Sequence, residues 1–252
     1  MFDLFILSLF AFFAGLVDAV SGGGGLVQLP ALLVTFPNAQ LPLLLGTNKF
    51  ASSLGTSVAA VRYGRRVALP WRLVLLSSSA AFVASFLGAR LVSLVDPSFL
   101  RPVVVVVLCC VLVFTVARPS LGLHHAPKRG VLARHAIGMC VGGVIGFYDG
   151  FFGPGTGTFI LFAFVTLVGF DFLHASACAK IINLATNLAA LAYFIPTGNV
   201  RYDLAVLMAL ANMSGSFVGS HLALTHGTRF IRILFVVVVA GLLAKQTWLL
   251  AH

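Results

Sequence analysis

The chain contains no glutamate, and its six acidic side chains are all aspartate. Charged residues of either sign make up only 9% of the 252 positions. A surface so poor in charge does not suit a soluble domain of this size, whose exterior is normally rich in Lys, Glu and Arg. Cysteine is scarce too. Cys109, Cys110, Cys140 and Cys178 lie inside apolar stretches with no C-x-x-C or histidine spacing, so they read as small packing residues and exclude a disulfide framework or a zinc site. No phosphate-binding loop, metal-ligand set or catalytic triad is present. The sequence therefore assigns neither a metal nor a cofactor, and an enzyme is not expected.

Apolar residues are abundant instead, at 60% of the chain with a mean hydropathy of +1.08. A helix that crosses a bilayer needs about 20 mostly apolar residues. Windows of that kind lie at 41–62, 71–92, 100–117, 173–196, 204–224 and 231–249, which predicts six spans in an all-α membrane protein. The bilayer is thus the first partner the sequence implies. No Lys or Arg precedes the opening apolar run and no small-residue cleavage site closes it, so it is expected to remain as a helix.

The net charge of +10 comes from cations placed between apolar runs, at Arg62, Arg65, Arg66 and Arg72 and again at Arg118, Lys128, Arg129 and Arg134. Cations in short loops mark the cytoplasmic side of a membrane protein. Without a soluble domain or interleaved aromatics, they do not indicate nucleic acid.

Sliding the chain against itself by 131 positions superposes Gly15, Asp18, Gly22 and Gly24 on Gly146, Asp149, Gly153 and Gly155. The same shift carries Lys49 onto Lys180, Ser85, Phe86 and Gly88 onto Ser216, Phe217 and Gly219, Leu91 onto Leu222, and Phe99 and Arg101 onto Phe230 and Arg232. A series at one offset predicts a duplication: residues 1–118 and 133–252 form two homologous helical repeats, with 119–132 as a cytoplasmic linker. Each repeat opens on a hairpin broken by glycine. In the first, Gly22, Gly23, Gly24 and Gly25 separate 4–20 from 26–36, a second piece too short to span. In the second, Gly153, Pro154, Gly155, Thr156 and Gly157 precede a short run to Val168.

Counting each broken hairpin as two elements gives about five per repeat and an inverted arrangement, whereas one broken span gives four and a parallel one. The basic loops at 62–72 and 118–134, with no cation at the N-terminus, favour the inverted form.

Irregular backbone at membrane depth is tolerated only where protein buries it or water reaches it, and paired interruptions in two halves are the best sequence pointer to a transport site. The helix beginning after each break aims amide N–H groups and a positive dipole end at the gap, which favours an anion. Close helix packing is the competing role for glycine and suits Gly142, Gly143, Gly88 and Gly219.

Lys49 and Lys180 lie well inside their apolar segments, and Asp18 and Asp149 just before the breaks. Charges at such depth are costly unless paired. The lysines therefore either neutralise the aspartates or bind an anion while an aspartate accepts a coupling proton, and the two roles can coexist. Small polar groups surround both lysines: Thr47, Asn48, Ser52, Ser53 and Thr56 in the first copy, Asn183, Thr186 and Asn187 in the second. They serve equally as ligand groups or as interhelical hydrogen bonds. The candidate substrate-binding residues are thus Gly22, Gly23, Gly24, Gly25, Gln28, Thr47, Asn48, Lys49, Ser52, Gly153, Gly155, Thr156, Lys180, Asn183 and Asn187, with Asp18 and Asp149 for the proton. His174 and His221 are expected to be packed or interfacial.

The run GLVDAVSGGGGLVQLP at 15–30, GTNK at 46–49 and the degenerate second copy at 146–187 resemble the sulfite exporter TauE/SafE family of membrane permeases. The resemblance covers nearly the whole chain. It implies a multi-pass protein of the bacterial inner membrane that moves sulfite, organosulfonates or related sulfur-containing anions, often outward. The second copy departs from the pattern, with Cys178 and Ala179 where the first has Thr47 and Asn48, so unequal halves are expected. A secondary carrier is the leading reading, with proton coupling as an addition to it rather than part of it. A passive anion channel is the alternative, and an intramembrane aspartyl protease or a scaffold fits less well. The reading leaves room for a homodimer.

Overall fold

The computed structural model describes residues 2–36, 38–92, 125–127 and 130–251, and every regular element among them is helical. The order is α1 (Phe2–Ser21), α2 (Gly25–Thr35), α3 (Leu41–Arg66), α4 (Trp71–Leu91), α5 (Val131–Phe151), α6 (Thr156–Ala163, continued by a π-helical turn Phe164–Val168), α7 (Phe172–Phe194) and α8 (Tyr202–Ala251). Five helical stretches are long and apolar enough to cross a bilayer: Leu4–Ser21, Trp71–Leu91, Val131–Phe151, Phe172–Phe194 and Tyr202–Gly227. Two of these, in α1 and α5, the hydropathy windows had not counted as whole spans. The expected span at 100–117 lies outside the described residues, as do Cys109, Cys110 and most of the linker. α8 carries a break at Gly227, where φ is +70°, and it runs on through the sixth window.

Chain breaks fall where the residues require them. Gly22 and Gly153, at φ +81° and +95°, occupy the left-handed region that side chains disfavour, and both end a helix. Gly155, also left-handed at +86°, starts α6. The second pieces, Gly25–Thr35 and Thr156–Val168, are too short to span.

Small residues set how the long helices pack. Gly138, Gly142, Gly146 and Gly150 recur every four positions on α5 and lie against Leu73, Ser77, Ala81 and Ser85 of α4, so the two helices run parallel. A Cβ on Gly146 would sit 2.6 Å from the Ala81 carbonyl oxygen, so only glycine permits this approach. A Cβ on Gly143 would meet no neighbouring helix within 4 Å among the described residues. α3 and α8 are also parallel: Gly46 meets Asn199, Gly55 meets Asn212, and Arg62 lies 3.4 Å from His221. α1 follows them, with Phe12 against Gly215 and Leu16 against Gly219. α3 and α7 are antiparallel, since Gly46 faces Phe194 while Tyr63 meets Ser176. The short turn after Arg66 reverses the chain into α4.

Thus α1, α3 and the first part of α8 point one way, and α4, α5 and α7 the other. Helices related by the 131-residue shift, α1 with α5, α3 with α7 and α4 with α8, are oppositely directed. Arg65, Arg66, Arg72 and Arg134 gather at one end, where α3 stops and α4 and α5 start. By the distribution of cations this end is cytoplasmic. The hairpin of α5 and α6 leaves from this end and returns to it, as the Ala126 amide donates to the Gly169 carbonyl at 3.0 Å. The hairpin of α1 and α2 starts and ends on the opposite face.

Candidate functional site

Both hairpins bring their glycine breaks to one place in the middle of the molecule. A Cβ on Gly22 would lie 2.2 Å from the carbonyl carbon of Gly157, so the two backbones touch directly. The Thr158 amide donates to the Gly22 carbonyl at 3.3 Å, and its hydroxyl to the Ser21 carbonyl at 3.0 Å. Helix ends that would otherwise be orphaned inside the membrane are thereby partly satisfied by each other.

The four buried charges form two pairs around this contact, and each pair crosses from one half of the chain to the other. Lys49 Nζ on α3 lies 2.6 Å from Asp149 Oδ2 on α5. Lys180 Nζ on α7 lies 3.4 Å from Asp18 Oδ2 on α1 and also donates to the Asp18 backbone carbonyl. Relative exposure is 3% for Lys49, 1% for Asp149, 0% for Lys180 and 8% for Asp18, so all four are withdrawn from solvent. Each cation satisfies an opposite charge, and the group as a whole is neutral. The second pair has a further support that the first lacks: Thr56 Oγ1 donates to Asp18 Oδ2 at 3.2 Å.

A polar cavity of about 20 Å³ opens beside these pairs. Its wall combines Asp18, Asp149, Lys49, Asn48, Ser52, Asn183 and Asn187 with Gly22, Gly25, Gly153, Thr156 and Gly157 of the breaks. Such a volume holds roughly one water molecule. An oxyanion of several heavy atoms needs the walls to move apart before it can enter.

Most residues singled out from the sequence converge here, and most of the others have visible structural tasks. Lys180 lies beside Asp18 and off the cavity wall. Gly23 is buried within the first break but is no part of the wall. Gly24 abuts Asp18, where a Cβ would fall 2.7 Å from the aspartate Cβ. Gly155 caps α6. Gln28 accepts a 2.7 Å hydrogen bond from Asn212 Nδ2, tying α2 to α8. Thr47 Oγ1 donates to the Leu43 carbonyl at 2.7 Å and accepts from the Arg201 amide at 3.0 Å, tying α3 to the start of α8.

Gly157, placed in the second break from the sequence but not among the candidate binding residues, lines the cavity. Tyr63 was missed: its hydroxyl donates to the Ala19 carbonyl at 3.0 Å and bolts α3 to the end of α1. No local pattern marks a tyrosine for that task.

A bundle of apolar helices with two re-entrant breaks meeting at paired buried charges defines a membrane transporter rather than a receptor or a soluble binder. The comparisons specify which kind. The family model described as "Sulfite exporter TauE/SafE" matches residues 7–245, and the chain belongs to this family. It is 34% identical over 240 residues to the "Probable membrane transporter protein YfcA" of Escherichia coli (strain K12), covering 95% of this chain and 88% of that one. It is 33% identical over 246 residues to a "Probable membrane transporter protein" of Haemophilus influenzae, covering 97% and 94%. A further relative, "Probable membrane transporter protein ORF9" of Sinorhizobium sp, is 35% identical over 236 residues, covering 92% and 87%. No solved structure matches. The protein is a multi-pass protein of the bacterial inner membrane, and its family is one of transporters, not of enzymes.

Proposed function

We propose that the protein is a secondary carrier of small sulfur-containing anions such as sulfite or organosulfonates, and that the two glycine breaks with Lys49 and Lys180 form its binding site. The observation that carries this reading is the crossed pairing of two buried lysines with two buried aspartates around a polar cavity. An anion can take the place of a carboxylate at either lysine, where the amides of the breaks and Asn48, Ser52, Asn183 and Asn187 supply further donors. The displaced aspartate would then be an unpaired charge at low dielectric, and a proton on Asp149 or Asp18 removes that cost. This gives the aspartates their coupling role.

The two halves are read as an inverted duplication, so that alternate exposure of the centre follows from one half rocking against the other. The family description supports export. So does physics, because an inside-negative potential drives each anionic charge outward by about 2.3 kcal/mol per 100 mV. A cavity this narrow disfavours an open channel.

The test is binding by purified protein to sulfite, sulfate, thiosulfate, sulfonates and carboxylates, with wild type beside Lys49→Ala and Lys180→Ala. A sulfur oxyanion is expected to bind wild type, and each substitution to weaken it at least about tenfold, the equivalent of 1.4 kcal/mol. If folded variants bind like wild type, the lysines are structural only. In vesicles, uptake or efflux should depend on pH in wild type and lose that dependence in Asp149→Asn; unchanged pH dependence would remove the proton from the mechanism.

A further inference from the structure

Outside the central site, three side chains that could hold a metal ion come together at the cytoplasmic end: His125 from the linker, and Asp171 and His174 at the start of α7. Their candidate ligand atoms all lie within 4.8 Å of one another. Part of this cluster has an ordinary explanation. Asp171 caps α7, accepting from the His174 amide at 2.8 Å, and its other oxygen lies 2.7 Å from His174 Nδ1. A helix cap needs nothing more.

His125 is not explained by the cap. It lies 46 positions before Asp171 and is brought in by the bond from the Ala126 amide to the Gly169 carbonyl. Its ring stacks on Phe170 with centroids 4.8 Å apart and stands 4.2 Å from the ring of His174. Its Nδ1 is 3.7 Å from Asp171 Oδ2, too long for a hydrogen bond. Two ligands at about 2.0–2.2 Å from one tetrahedral ion stand roughly 3.3–3.6 Å apart, so that spacing suits a shared cation.

We propose that His125, Asp171 and His174 form a site for a first-row divalent transition metal, Zn²⁺ being the simplest occupant, which staples the inter-repeat linker to the head of α7. Two imidazoles and a carboxylate are the ligand set such ions prefer, and they leave the remaining positions to water. On binding, the His174 ring proton moves to Nε2, and the cation replaces the contact between Nδ1 and Asp171. Lys180 follows six residues after His174 on the same helix, so a metal here fixes the end of an element that carries the transport centre.

The site is independent of the anion site, and its test does not use transport. Tag-free protein stripped with chelator is titrated with Co²⁺, whose visible bands report nitrogen and oxygen coordination, and then with Zn²⁺ in competition. Wild type should take up one ion per chain. His125→Ala and His174→Ala should weaken binding roughly tenfold or more, and His226→Ala should leave it unchanged. His125→Ala decides the matter, because the helix cap does not need that ring and the variant should fold normally. Absence of stoichiometric uptake by wild type, or equal affinity in His125→Ala, overturns the proposal.

Discussion

At the scale of single residues, the centre is governed by the cost of a lone charge. Lys49 and Asp149 are each almost fully buried and lie 2.6 Å apart. Removing one partner strands the other, which costs roughly 3–5 kcal/mol, whereas removing both returns much of that loss. Lys49→Met and Asp149→Leu are each expected to lower the unfolding midpoint of the detergent-solubilised protein strongly. The double variant should recover more than half the deficit while remaining unable to bind anion. Equal and additive losses would mean that the pair is not coupled in the membrane-embedded state. Lys180 differs because it also donates to the Asp18 carbonyl, and Thr56 supports the aspartate, so Asp18→Asn should be milder than Asp149→Asn. Comparing the two thermal midpoints checks this; a milder effect for Asp149→Asn would contradict the inequality of the halves.

At the scale of elements, the breaks work through backbone contact, and glycine at different positions should respond very differently. Gly22→Ala places a methyl group against Gly157 in a left-handed conformation, so two penalties combine. It is expected to destabilise by a few kcal/mol and to abolish anion binding. Gly64→Ala, in the last turn of α3 with no described residue of another helix within 4 Å of the added methyl group, should be neutral or stabilise by about 0.5–1 kcal/mol. A thermal-shift series on the two variants separates these outcomes, and similar behaviour would refute the contact between the breaks.

The same contrast shows how far the sequence could be read at this level. The interrupted hairpins, the buried lysines and their polar faces were all visible, because glycine runs and intramembrane charges are local signals. Which lysine faces which aspartate was not, because pairing depends on how the hairpins cross. Nor were the bonds of Gln28 and Thr47 legible, because a buried polar group beside a site has the same sequence signature whether it faces a ligand or ties helices together, as these two tie α2 and α3 to α8. The metal candidate was hidden altogether, since His125 and Asp171 are brought together only by the return of α6 to the cytoplasmic end.

At the scale of the whole molecule, the directions of the helices are what the proposed transport mechanism rests on. Both ion pairs join the first half of the chain to the second, so neither half can rotate without straining or breaking them. In the proposed mechanism, an anion that loosens one pair would change the cost of that movement and so link binding to reorientation. Such a scheme requires the two halves to be inserted with opposite polarity, and that is open to direct measurement. Arg66 ends α3 at the basic face, whereas Thr197 follows α7 on the opposite face and is exposed. In a background with the native cysteines replaced, Arg66→Cys is expected to react with a membrane-impermeant thiol reagent only after the cytoplasmic side is opened. Thr197→Cys should react in intact cells. If both positions label from the same side, α3 and α7 do not run in opposite directions through the bilayer, and alternate access by inverted halves is excluded whatever anion the centre binds.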